Sequence, residues 1–483
     1  MSVSQKIQEG VHSPRDVLTA FRSRAYLIRL ITVVLIIILL TPSITSAITY
    51  DASAQPALEK GTITKPANGS TVISAQGYTF RGNTNEKKPA RLVAVDERGD
   101  LKWTHTDNVG GSAWFYDVDP LPNGNLLVSS PRAGETVVFE FNRTTKTRVW
   151  QKRFEMEDTH DIDYLGENRF VIANMREWNE SADASDDRVV IYNRSTDAIT
   201  WQWKFRNHFS AETDGGYSKD WTHVNDVDPI GEDRLLLSPR NFDQVIIVDI
   251  ETKQIVERLG RDGAHEILQE QHNPDWLMSD TGTPTILVAD SENDRVVEYA
   301  KLDNEWTRTW TVGTNTLTWP RDADRLPNGN TLIVDTLNHR VIEVTPMGEV
   351  VWEYYATWGP YDAERVVHGD ESNGPTMRDI NASGNYPITG SANLTTVSNN
   401  GVGVADWVRT TSAGTPLAEP ASAIATQWAH VTPWIRPVWM TGWDLLFALG
   451  SLIIVTMWLI GEVITARQRL LATFRDLWNN MGI

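Results

Sequence analysis

One phrase recurs through the middle of the chain and limits what it can fold into. It reads "YDVDPLPNGNLLVSS" at 116–130, "HDIDYLGENRFVIAN" at 160–174, "NDVDPIGEDRLLLSP" at 225–239 and "RDADRLPNGNTLIVD" at 321–335. Each copy is Asp-x-Asp, a turn rich in Asn, Gly or acids, then an apolar strand. A further strand follows ("VVFEFN", "VVIYNR", "VIIVDI", "RVIEVTP"), and after it an aromatic strand such as "GEVVWEY". The first Asp positions are 117, 161, 226 and 322, giving steps of 44, 65 and 96. The last step is a double one, and "HNPDWLMSDTGTPTILVADSENDRVVEYA" (272–300) fills the gap as a divergent copy. Adding 70–103 gives six copies of roughly four strands. Four short strands per 40 to 50 residues mark β-propeller blades, whereas a β-sandwich array or a β-helix wants a different period. The expectation is therefore an all-β fold, a six-bladed β-propeller over 60–360. The long step holds an insertion at 205–220, expected as a loop over one face.

Two apolar segments bracket the repeats. Residues 27–47, "LIRLITVVLIIILLTPSITSA", follow Lys6, Arg15, Arg22 and Arg24 and fit either a cleaved signal peptide or a signal anchor. As an anchor the run is just long enough to span a bilayer, with Arg29 snorkelling to the interface. Residues 445–461, "LLFALGSLIIVTMWLIG", carry no charge, follow Trp434, Trp439 and Trp443, and precede Arg467, Arg469 and Arg475. That asymmetry places the C-terminus inside. The implied order is a cytoplasmic N-terminus (1–25), a signal anchor or signal peptide (26–47) and the propeller (60–360). Next come a last-blade closure and Gly/Ser/Thr/Asn-rich stalk (361–440), a transmembrane helix (441–465) and a cytoplasmic tail (466–483). With a transmembrane helix at each end, the protein is expected at the cell membrane with its propeller extracytoplasmic. Six sequons, at Asn68, Asn142, Asn179, Asn193, Asn381 and Asn393, agree with export.

Composition removes several classes. The net charge of −19 over 483 residues argues against nucleic acid as a partner, because phosphate binding needs a basic stripe. There is no cysteine, so disulfides, thiolate metal sites and cysteine nucleophiles are excluded together. No GxxxxGK[ST] loop offers a place for a nucleotide donor.

In a propeller the innermost strands line the central channel, so equivalent strand starts meet at one mouth. His160, His223 and His272 stand near this position in three consecutive blades. Arg132, Arg176 and Arg240 follow at the far end of the paired strand, which runs antiparallel and returns to the same mouth. Asn225 joins them between His223 and Asp226. The Asp-x-Asp pairs read as caps of turns between blades, His339 and His105 as surface or turn residues, and His208 as a candidate lid residue. Three histidines suit zinc, but a zinc hydrolase usually adds a carboxylate base, and the spacing fixes no metal geometry. The other chemistry is transfer of an anionic group through a nucleophilic imidazole, with arginine and histidine neutralising its oxygens. A non-catalytic propeller that binds peptide or glycan is a third reading.

The phrase "WTHVNDVD … LLLSPRN" followed by "EQHNPDW" resembles the arylsulfate sulfotransferases, six-bladed propellers that move sulfate between phenols without a nucleotide donor. "HVN" with Arg240 looks like that family's His-x-Asn and downstream arginine, "QHNP" places His272 on its sulfated histidine, and "HDIDYL" places His160 on an earlier active-site histidine. The resemblance covers roughly 60 to 360. It implies an enzyme that passes sulfate from an aryl sulfate to a phenolic acceptor through a sulfohistidine, and the apolar ends make that enzyme a membrane-anchored one. His272, His223, Arg240, His160 and Asn225 form its site, and neither cofactor nor metal is expected. Two features depart from the family: no disulfide is possible, and an apolar C-terminal helix is present where members are typically exported soluble proteins.

Overall fold

A computed structural model describes residues 14–50, 58–76, 90–106, 114–132, 134–314, 316–392, 403–437 and 439–480. The chain forms two units, 53–400 with 419–434, and 1–52 with 401–418 and 435–483. The first is the six-bladed propeller. Its blades, inner strand to outer, begin with blade one: Pro360–Arg365, Thr71–Ala75, Arg91–Val95, Leu101–His105. Blade two spans 118–154, blade three 162–204, blade four 224–260, blade five 272–312 and blade six 320–356.

The repeat explains the packing. In blade two the second and third strands, Leu126–Arg132 and Glu135–Asn142, are buried along nearly their whole length. The fourth, Thr147–Phe154, alternates between exposed and half-buried residues, as an outer rim should. Apolar clusters lie between adjacent blades; the one joining blades three and four gathers Trp203, Trp221, Phe242 and Val227. The turn "PNGN" works identically in blades two and six. Gly124 and Gly329 both take φ +83°, and the flanking asparagines donate to Glu140 and Glu343 on the third strand.

The ring closes in a way the repeat did not foretell. Pro360–Arg365, expected to help close the last blade, is the innermost strand of blade one. The last blade instead gains an outer strand from the N-terminal side, Leu58–Ile63 against Val350–Ala356. Residues 361–440 are also more structured than a stalk. Gly384–Tyr386 adds a parallel strand to blade five, and two helices follow, α2 (Val404–Ser412) and α3 (Ala418–Ile435). Residues 419–434 of α3 pack on the propeller: His430 Nε2 lies 2.9 Å from Asp294 and Nδ1 3.3 Å from Glu292. Despite burial, these two carboxylates hold the imidazole up at about 9. That contribution to stability is complete below the ordinary histidine range and is lost as pH rises through about 9. Neither His339 nor His105 is a surface residue: His339 is buried and accepts from Gly359 N–H, and half-buried His105 packs among Phe115, Phe139 and Phe141.

In the second unit, the N-terminal helix (Pro14–Thr49) and the C-terminal helix (Gly442–Asn480) are each long and apolar enough to cross a membrane. They run antiparallel, since Arg29 pairs with Glu462 (2.6 and 2.7 Å) while Ser43 and Ser46 bond Asp444 (3.0 and 2.9 Å). Arg29 therefore has a carboxylate partner in place of the snorkelling position expected of it. An apolar surround makes such a pair far preferable to a lone charge.

Candidate active site at the channel mouth

The residue before each Asp-x-Asp defines the mouth. Around the ring these are Tyr361, Tyr116, His160, Asn225, His272 and Arg321, where blade one reads Tyr-Asp-Ala-Glu and blade five His-Asn-Pro-Asp. All six are at least 96% buried. Blade four puts Asn225, not His223, in this slot. His223 lies two residues earlier, with φ +41°. Its ring centroid is 5.0 Å from that of His160, which sits 3.7 Å from Tyr116 and 5.5 Å from Tyr361. Tyr361 is in turn 6.0 Å from His272. The structure thus gathers His160, His223, Asn225 and His272. Arg240 pairs with Glu270 at 3.2 Å and is close enough to depress both His223 and His272.

Each histidine is anchored differently. His272 Nδ1 faces the Glu270 carbonyl at 3.1 Å and Ser291 Oγ at 2.8 Å, and the Ser291 hydroxyl itself donates to Pro320 O at 2.6 Å. A carbonyl only accepts, so Nδ1 carries the proton and Nε2 keeps its lone pair. That Nε2 is buried without a hydrogen-bond partner among the described residues. His223 Nδ1 is 3.0 Å from Asp220, the last residue of the 205–220 insertion. His160 Nδ1 is 3.1 Å from the Tyr361 hydroxyl. Asn225 donates its amide to Gln271 O at 2.9 Å, which leaves Oδ1 as its free atom, an acceptor.

Electrostatics decides the protonation. Burial, then the arginines, lower His272 well below the ordinary imidazole range. Burial also brings His160 down to about 4, against the opposing pull of Asp158, and His223 to about 3, against that of Asp220. All three imidazoles are neutral at neutral pH. Fixed positive charge therefore comes from Arg240, from Arg176 and from Arg321. Arg176 bridges Asp158 and Asp220 at 2.9 Å each, and Arg321 lies 4.4 Å over Trp319 and 4.7 Å over Tyr361. Arg321 and Tyr116 share the repeat position of the histidines, and Tyr361 joins them from the strand that closes the ring, so all three are site residues beyond those expected from the motifs. His208 is not a mouth residue; it stacks on Trp203 at 4.4 Å. The backbone is strained here as well: Arg176, His223, Glu270 and Trp319 all take positive φ. Such conformations persist only where surrounding structure imposes them, and they concentrate at working sites.

These features define a six-bladed propeller with a buried histidine, arginine and tyrosine site at one end of its channel. The model of the arylsulfotransferase (ASST) family matches residues 61–273, a stretch that ends one residue past His272 and supports the family that the motifs resembled. No curated protein matches the chain. Among solved structures, a protein of unknown function from Bacteroides caccae is similar at TM-score 0.41 and 11% identity, over 59% of this chain and 93% of its own. A streptogramin B lyase gives 0.39 and 9% over 63% and 90%. A putative 6-phosphogluconolactonase from Bacteroides fragilis gives 0.39 and 11% over 62% and 98%. Likenesses this distant assign no activity.

Proposed function

We propose that the protein transfers sulfate from an aryl sulfate to a phenolic acceptor in two half-reactions through a sulfated His272. The observation that carries this reading is the neutral, buried His272 with Nδ1–H held by the Glu270 carbonyl and Nε2 unpartnered among arginines. In the first half the Nε2 lone pair attacks sulfur, the S–O(aryl) bond breaks, and its electron pair leaves with the phenolate. The phenolate leaves as an anion and takes its proton from solvent; His223, its Nδ1–H held by Asp220, offers its Nε2 lone pair as the base that takes the proton of the acceptor phenol in the second half and then releases it to solvent. The acceptor oxygen then attacks sulfur and the N–S bond breaks. Arg240 and Arg321 supply the charge for the sulfate oxygens, a task the neutral histidines cannot perform as cations. His160 and Asn225 hold the ring together as positioning residues.

Steady-state kinetics with a chromogenic aryl sulfate and a phenol tests this. Parallel double-reciprocal lines and a protein heavier by one sulfate when the acceptor is omitted are expected. Intersecting lines with no modified protein would remove the covalent step. The pH profile separates the reading from an ordinary histidine mechanism. With His272 depressed by burial and arginines, kcat/KM stays level as pH falls through the usual histidine range, and declines only further down, where His160 also protonates. A fall centred near 6.5 would show an exposed, unperturbed imidazole.

The two apolar helices support an anchored protein with both ends on one side of the membrane and the propeller outside. Protease added to intact cells should digest the propeller and spare a C-terminal tag. Loss of the tag alone would reverse the orientation.

A further inference from the structure

One residue deeper along each inner strand the channel changes character. Below the mouth lies a cavity of about 30 Å³, and eleven of its thirteen lining residues are Asp or Glu. No Lys, Arg or His lines it among the described residues. Four seams between blades explain part of this acidity. There a carboxylate accepts the backbone N–H of the next blade: Asp362 from Val118 (2.8 Å), Asp117 from Ile162 (3.1 Å), Asp161 from Val227, and Asp322 from Ala363 (3.2 Å). Those carboxylates are joints of the ring, as turn-capping residues would be.

The seam between blades four and five is built differently. At the position of Val118, Ile162, Val227 and Ala363, blade five carries Pro274, which has no N–H. Asp226, which faces that seam and is only 4% exposed, has no hydrogen-bond partner for Oδ2 among the described residues. The neighbouring Asn273 takes φ +33°, lines the same cavity, and has an Oδ1 cut off from solvent and equally unpartnered. Around Asp226, Asp161 and Asp228 each bring an oxygen to within 4.8 Å of the others. Buried carboxylates without donors are costly, and here the sequence has removed the donor that the other seams supply.

We infer that this seam is a binding site for a hard divalent cation, calcium before magnesium, with Asp161, Asp226 and Asp228 as ligands and Asn273 Oδ1 beside them. The donor set is all oxygen and crowded with carboxylates, which suits calcium's high and irregular coordination. Zinc would want nitrogen or sulfur, and magnesium a strict octahedron with retained water. Its place in the chain gives it a purpose. Asp161 follows His160 and Asp226 follows Asn225, so the cation offsets a concentrated negative field directly below a mouth built for an anion. The role is structural and electrostatic, beyond the transfer chemistry and independent of it.

The test uses the full chain in detergent, stripped with chelator and exchanged into metal-free buffer. Calcium added back to the stripped protein should be retained after desalting, as read by emission spectroscopy. The propeller's unfolding temperature should rise by roughly 5 °C at a hundredfold excess over the dissociation constant. Asp226→Asn with Asp228→Asn removes two repelling charges. That variant should be at least as stable as wild type without metal, and should lose the calcium shift. Pro274→Ala, which restores an N–H for Asp226, should weaken calcium binding several-fold and serves if the double variant fails to fold. An equal rise with potassium chloride at matched ionic strength overturns the site, as does an unchanged calcium shift in both variants. Neither readout involves sulfate transfer, so failure here leaves that reading untouched.

Discussion

His272→Ala should abolish both sulfate labelling and transfer, while Arg240→Lys should still label, more slowly. Deleting the nucleophile of a covalent mechanism costs on the order of 10⁶-fold in comparable two-step enzymes, because no neighbouring group inherits the role. Arg240→Lys keeps the charge but loses the planar fork that grips two oxygens, so about 10²- to 10³-fold in rate is expected, with labelling intact. His272 is fully buried, so loss of activity alone could reflect a damaged ring. Ser291→Ala separates the two. It removes the hydroxyl 2.8 Å from Nδ1 but leaves the Glu270 carbonyl, so it should slow labelling without abolishing it. Mass spectrometry of protein trapped without acceptor is the measurement. Sulfate found on His223 or His160, or a His272→Ala protein that still labels, would sink the assignment.

How much of this was legible in the sequence varied with the physics behind each feature. The blades were, because a four-strand unit repeating six times imposes its pattern on every copy, and strand pairing inside each blade is local. The closure was not. Tyr361 and its strand follow the sixth copy in sequence yet complete the first blade, and nothing in a linear repeat marks which blade takes the returning strand. Tyr361 was therefore invisible as a site residue, while Tyr116 and Arg321 stood in plain view at the repeat position of the histidines. The repeat position selects which residues line the mouth, and their chemistry need not be uniform. His223 shows the converse: it seemed to share the histidine slot, but Asn225 occupies it, and the two-residue offset stands in the aligned copies themselves, where His160 and Asn225 each precede an Asp-x-Asp. Partners far apart in sequence, such as Arg29 with Glu462, carry no periodic signal at all. Pro274 was legible as a residue but not as the removal of a donor. That meaning exists only once the next blade's carboxylate is seen to need one.

Arg325→Met should be the most destabilising single change in the propeller. Arg325 follows the Asp-x-Asp of blade six and is wholly buried, its guanidinium 5.1 Å over Trp310 and 3.2 Å from Glu298, which is also wholly buried. Glu298 in turn accepts the Met377 N–H at 3.1 Å, and Arg325 donates to Pro375 O at 3.3 Å. One ion pair thus joins blades five and six to the segment that follows the ring closure. Burial is the largest influence on both partners, bringing Arg325 down to about 10 and pushing Glu298 up in spite of their mutual attraction. The pair therefore adds little over apolar packing, yet breaking it strands a carboxylate, which typically costs about 3–5 kcal/mol. Arg325→Met with Glu298→Leu should recover most of that loss, because neither charge then remains. Urea unfolding of the single and double variants measures it. A single-variant cost below about 1 kcal/mol, or a double variant as unstable as the single, would remove the pair from its place in the ring. The pH dependence has a definite sign. Without Arg325, Glu298 is raised further in the folded state, so the folded protein holds a proton that the unfolded chain releases. The single variant should accordingly approach wild-type stability as pH falls toward the ordinary carboxylate range, and lose ground as pH rises through the raised value.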